Sequence, residues 1–221
     1  MIDNNFNFIN DIGSGGGQDI FSLEILGTDF GTYVDIGCRE PINHNNTFLH
    51  YKYGWKGIAL DIVDYSKDFH NLRESTPFYQ ENCISCDFKS IFQKNFDNNV
   101  IDYLSIDVEG NGDRFNVLKN VFKSEYEFKV ITIEHDAYRG FDLTEKEPQR
   151  EFLKSKGYIL VKECNIIEDF WINPKYVTKN KYEKFLVTFN KEDDKRNLVY
   201  DWYKNIDVDY VKYFKLLGFK I

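Results

Sequence analysis

Asp107 and Glu109 stand two residues apart where the run Tyr103–Val108 (YLSIDV) gives way to Glu109-Gly110. If the run is a strand, both carboxylates lie on one side of it, because side chains alternate across a strand. Such a pair can hold a metal ion, bind an ammonium group or take the proton of a hydroxyl. A second polar cluster, Glu134, His135 and Asp136, closes the run Lys129–Glu134 (KVITIE). Of these, His135 is the candidate base, since its unperturbed pKa suits proton transfer at neutral pH. Each feature also has a plainer account: solvated residues at a strand end, and a hydrogen-bonded structural histidine.

The tripeptide Asp-Ile-Gly occurs twice, in DIGSGGGQDI at 11–20 and in DIGCRE at 35–40. Either could turn a strand into a ligand-cradling loop. In each case an aspartate at the next candidate strand end, Asp35 or Asp61, is placed to take the hydroxyls of a ribose. Spacing does not choose between them, but context does. NNFNFIN, before Asp11, is a weak central strand, whereas GTYVDI, around Asp35, is β-branched and aromatic. Asp35, Gly37 and Asp61 therefore form the candidate nucleoside site, and Ser14–Gly17 reads as a lead into a helix over QDIFSLEIL. The second copy lacks the further glycines of a dinucleotide or phosphate-binding loop, which disfavours NAD and ATP.

The elements that must position these residues alternate. Strands are expected at Thr32–Ile36, Gly57–Asp61, Phe78–Ile84, Tyr103–Val108 and Lys129–Glu134. Helices are expected near Asn46–Tyr53, Ser66–Glu74, Lys89–Phe96, Asp113–Phe122 and Gln149–Lys156. Alternation of this kind builds an α/β fold, a mostly parallel sheet with helices on both faces. The runs GYILVKEC and DFWINPKYV add a terminal antiparallel strand pair. Residues 1–177 read as one domain with 1–30 as a helical lead-in, and 178–221 as a C-terminal extension, helical and packed on it.

A chain of 221 residues, 42% hydrophobic and 17% aromatic, has ample material for one core. Its net charge of −8 offers no basic field to a phosphate backbone, so nucleic acid is disfavoured as a partner. With no apolar run long enough to span a membrane, a cytoplasmic protein is expected. The four cysteines include one C-x-x-C, Cys83 and Cys86. Without a second pair or a nearby histidine it falls short of a zinc site, and the thiols read as free thiols of a reduced compartment.

The ordered set QD, VDIG, NNTF, GWKGI, LSIDVEG and ITIEH, followed by KGYILVKEC and DFWI, resembles the FkbM-type methyltransferases across roughly residues 14–175. These are a branch of the class I S-adenosylmethionine-dependent enzymes, whose sheet is Rossmann-like. The resemblance implies that Asp35 and Gly37 form the cofactor loop, that Asp61 holds the ribose and that Asn82 lies near the adenine. Asn46 and Thr47 would touch the cofactor's carboxylate or cap the following helix. Asp107, Glu109 and His135 would serve transfer of a methyl group to a hydroxyl of a sugar or other small acceptor. A divalent metal held with Glu134 is possible but not favoured. Where relatives usually carry a second glycine this chain has Pro41, and Arg39 departs as well. The alternatives are a catalytically inactive binding protein on the same scaffold and an RNA methyltransferase.

Overall fold

The computed structural model describes residues 16–110, 113–137, 140–163, 167–186 and 210–216. The chain enters through α1 (Gln18–Leu26) and alternates through β1 (Thr32–Ile36), α2 (Phe48–Lys52), β2 (Lys56–Asp61), α3 (Ser66–Leu72), β3 (Phe78–Gln80), α4 (Phe88–Asn95), β4 (Val100–Ile106), α5 (Asp113–Phe122) and β5 (Glu127–Glu134). A π-helical turn, Asp142–Lys146, leads into α6 (Glu147–Ser155), followed by β6 (Ile159–Glu163), β7 (Glu168–Ile172), α7 (Lys179–Tyr182) and α8 (Tyr210–Leu216). The seven strands lie in the order β3-β2-β1-β4-β5-β7-β6. All neighbours pair in parallel except β7, which runs antiparallel to both β5 and β6.

Alternation along the strands sorts two cores. Val34, Ile36, Leu104, Ile106, Ile131, Ile133 and Trp171 face α4, α5 and α6, whose Phe88, Phe92, Val117, Leu118 and Leu153 cover them. Tyr33, Tyr103, Val130, Phe170 and Ile172 face the other way, onto α1. Helices thus cover both faces. In α1, Ile20, Phe21, Leu23 and Ile25 are at most 3% exposed. Burial of such side chains stabilises by about 1.5–3 kcal/mol each. Phe21 stands edge-on to Phe170 and Phe185, with ring centroids 4.9 and 5.2 Å away. Gln18, Asp19 and Ser22 are buried with them, so the polar start of α1 is carried inside the fold.

Most elements shift by one or two residues from the expected bounds, and three shifts are instructive. β3 stops at Gln80, because the Asn82 side chain takes the Ile84 amide and its carbonyl takes those of Ser85 and Cys86, turning the chain. α2 begins only at Phe48, since Asn45 Oδ1 accepts the Thr47 amide. β4 starts earlier, at Val100, and ends at Ile106. Asp11 to Gly15 of the first Asp-Ile-Gly copy, Cys164 and much of 178–221 lie outside the described residues.

Candidate functional site

Strand order reverses between β1 and β4, and in an open α/β sheet the crevice beyond that point is where ligands settle. A cavity of about 740 Å³ opens there. Register sets a buried polar layer beneath it. Asp35, Ser105 and Thr132 stand side by side on β1, β4 and β5, and one step on Glu134 pairs with Glu168 of β7. All share the parity of Tyr33, Tyr103, Val130 and Phe170, and so point toward α1.

Of the residues singled out in the sequence, Gly37, Asn46, Asp61, Asn82, Asp107 and Glu109 line the cavity together. Gly37 turns the chain with φ at +77°, and a Cβ there would sit 2.0 Å from the Asp107 carbonyl oxygen. Only glycine permits both the turn and the approach. Beyond it the loop lies against β2. The Gly37 and Cys38 amides donate to the Leu60 carbonyl at 2.8 and 3.2 Å, and the Arg39 amide to Asp61 Oδ2 at 2.9 Å. Asp61 takes the Val63 amide on its other oxygen at 2.9 Å, which fixes the carboxylate at the cavity edge. Asn46 donates to Ser105 Oγ at 3.0 Å and to Asp107 Oδ2 at 3.5 Å, joining this loop to the end of β4.

Asp35, Thr47 and His135 are fully buried and stand outside the cavity lining. Asp35 accepts the Thr47 hydroxyl at 2.8 Å. Burial pushes its carboxyl up to about 6, although Arg73 and the Thr47 bond pull it back. His135 follows Ile131 and Ile133 in parity, onto the α5 and α6 face. There its Nδ1 accepts the Ala137 amide at 3.2 Å and its Nε2 lies 3.6 Å from Asp169.

The structure brings further groups to the site and pairs them. Gln18 and Glu168, 150 positions apart, are hydrogen-bonded and both line the cavity. Burial, then the charge of Asp107, raises the Glu168 carboxyl well above the carboxylate range. Asp107 and Glu134 share a hydrogen bond. Burial raises both, and Asp107 raises Glu134 further. The buried Arg114 guanidinium fixes Glu134 and Asp136 at 2.6 and 2.8 Å. Arg73, also buried, donates to Tyr33, Asn45, Thr47 and the Pro41 carbonyl at 2.6–3.3 Å. Glu134 stood in the polar cluster at the end of β5 and Gln18 in the QD of the family resemblance, but nothing local paired Gln18 with Glu168 or brought Arg73 beneath the loop.

Among the described residues, no group of three or more His, Cys, Asp or Glu is arranged to hold a metal ion, and no helix is long and apolar enough to cross a membrane. Residues 35–160, more than half of the chain, match the model of the methyltransferase FkbM domain. No curated protein matches. Among solved structures the chain is similar to M. capricolum TrmK in complex with S-adenosylhomocysteine, at 18% identity over 91% of this chain and 92% of that one, with a TM-score of 0.47. A putative rRNA methylase from Clostridium thermocellum matches at 16% identity over 72% and 95%, TM-score 0.47. An uncharacterized protein from Listeria monocytogenes serotype 4b matches at 14% over 80% and 71%, TM-score 0.44.

Proposed function

This chain belongs to the FkbM methyltransferase family, and on that premise we propose that it methylates a hydroxyl of a sugar or another small, non-anionic acceptor. The residues present fit S-adenosylmethionine. Gly37, where the Asp107 carbonyl leaves no room for a Cβ, lines the cavity with backbone alone, and the cavity volume lies within the range of small-molecule sites. In this proposal Gly37, Asn46, Asp61 and Asn82 hold the cofactor, with Asp61 on the ribose hydroxyls and Asn82 toward the adenine. Asp35 and Thr47 support that loop from beneath. When bound, S-adenosylmethionine offers a methyl group on a sulfonium, open to in-line displacement by an oxygen.

The chain's own part is positioning and proton removal. Asp107, held by Asn46 and by the hydrogen bond from Glu134, takes the acceptor's hydroxyl proton. Its raised pKa makes it a better base than an ordinary aspartate near neutral pH. Glu109, exposed at the rim, orients the acceptor. His135 acts from the opposite face of the sheet, holding the β5–β7 end in place through Asp169.

Seven acidic side chains in the cavity lining bear on the choice of acceptor. Asp107, Glu109, Asp113, Glu134 and Glu168 lie beyond β2, and Asp61 and Glu81 near it, against Arg39 and His44 as the lining bases. With Glu134 and Glu168 held neutral by burial, the remaining carboxylates give a negative field that suits the cofactor's sulfonium and ammonium charges and disfavours an acceptor rich in phosphate. Calorimetric titration with S-adenosylhomocysteine tests the cofactor half. We expect micromolar binding, weakened at least about tenfold, or 1.4 kcal/mol, in Asp61→Ala. A wild-type chain that does not bind would leave the scaffold as a binding protein without methyl transfer.

A further inference from the structure

Past β3, residues 82–86 wind into one helical turn, with the Ser85 and Cys86 amides donating to the Asn82 carbonyl at 3.0 and 2.9 Å. In a helical turn, residues three apart have Cα atoms on the order of 5 Å apart, inside the span that a disulfide bridges. Cys83 and Cys86 are three apart, both are free thiols, and their side chains hydrogen-bond to each other. Asn120 pins the turn by donating to the Cys83 and Cys86 carbonyls at 3.2 and 3.0 Å.

The two sulfurs differ in exposure. Cys83 is 6% exposed and lines the cavity between Asn82 and Ile84, whereas Cys86 is half-buried and lies outside the lining. Their mutual hydrogen bond, joined by burial, raises Cys83, and the same bond lowers Cys86. Cys86, the more exposed sulfur, is the one a small disulfide reaches first, while Cys83 Sγ donates to the Glu81 carbonyl at 3.9 Å.

We propose that Cys83 and Cys86 form a reversible oxidative modification site for a small disulfide of the glutathione type, and that oxidation there and cofactor occupancy of the cavity oppose each other. The second clause rests on the cofactor proposal above. The Cys86 thiolate attacks one sulfur of the small disulfide, forming a mixed disulfide and expelling one thiolate, which takes up a proton. Cys83, no longer beside a thiolate, gives its proton to solvent and attacks the Cys86 sulfur, expelling the second small thiolate. Two protein thiols are oxidised to one disulfide, and one small disulfide is reduced to two thiols. Forming the bond draws the sulfurs to about 2.05 Å and tightens the turn that carries Asn82 and Ile84. A ligand against Cys83 resists that movement, and the coupling is reciprocal.

The test uses the full chain with glutathione disulfide, peptide mapping by mass spectrometry, and calorimetry with S-adenosylhomocysteine. We expect an internal Cys83–Cys86 bridge with no glutathione retained on either residue. Saturating S-adenosylhomocysteine should shift the bridge's equilibrium with glutathione toward the free thiols, and the bridge should weaken S-adenosylhomocysteine binding, by the same factor of at least about fivefold. Dithiothreitol should restore binding. Cys86→Ser should bind as the reduced wild type does and ignore the oxidant. Glutathione remaining on Cys86 without a bridge would overturn the site, and a bridge without mutual effect would overturn the coupling. If the reduced chain binds no S-adenosylhomocysteine, the cofactor proposal and the coupling fall together, while the peptide map still decides the bridge.

Discussion

Gly37 and Asp35 show how much one residue can carry at the end of β1. A side chain at Gly37 meets both a positive φ and the Asp107 carbonyl, which is backbone and cannot swing aside. Gly37→Ala should therefore cost about 1–3 kcal/mol of stability, read by urea unfolding, and weaken S-adenosylhomocysteine binding as the loop shifts. Asp35 yields a pH dependence of definite sign. Its folded pKa near 6 lies above the ordinary 3.8, so the folded chain binds the extra proton between those values. Stability contributed by that proton is complete below about pH 4 and is lost as pH rises through 6. The difference of two pKa units corresponds to roughly 3 kcal/mol at this fully buried position. Asp35→Asn, neutral at every pH, should lack that decline, so that wild type loses about 2–3 kcal/mol relative to the variant between pH 4 and 7.5. Parallel unfolding curves across that range would remove Asp35 as the titrating group.

At the scale of elements, α1 links the cavity to the C-terminal helix. Its first residue, Gln18, reaches Glu168 in the lining, and further along Glu24 accepts from Lys184, Lys212 and Tyr213 at 2.6–2.8 Å. Burial works to raise Glu24, but these three bonds outweigh it and hold the carboxyl at about 2. The contribution is present above the unfolded value of 4.5 and is lost as pH falls from there through 2. Glu24→Gln should accelerate hydrogen exchange in 210–216 at neutral pH and leave the amides of β4 and β5 unchanged. Equal protection of α8 in both chains would show that apolar packing of Tyr213 alone holds it. The loop between β1 and α2 has its own anchor, since the buried Arg73 after α3 binds Asn45, Thr47 and Pro41. Pro41, which has no N–H to donate, serves this anchor through its carbonyl.

At the scale of the whole molecule, charge divides the acceptor classes. A net charge of −8 and an acidic cavity work against any polyphosphate. We expect no binding of a structured RNA, followed by fluorescence anisotropy, at physiological salt. Tight binding that weakens steeply with salt would instead favour the RNA methyltransferase alternative.

The sequence by itself determined the alternation of strands and helices, the strand end at Asp61 and the acidic residue Asp107 just past the end of β4. Those are local properties: β-branched runs, a glycine where the chain turns, acids where strands stop. The bounds of β3 and α2 were blurred because Asn82 and Asn45 offer side-chain acceptors that compete with the regular backbone pattern. Only the tertiary structure decided which side chains share the cavity. It put His135 on the far face by strand parity, brought Gln18 to Glu168 across 150 residues and buried Arg73 beneath the loop. Such meetings depend on sheet register and strand order. Both are set by burial of the two faces at once, and no short window of sequence records that.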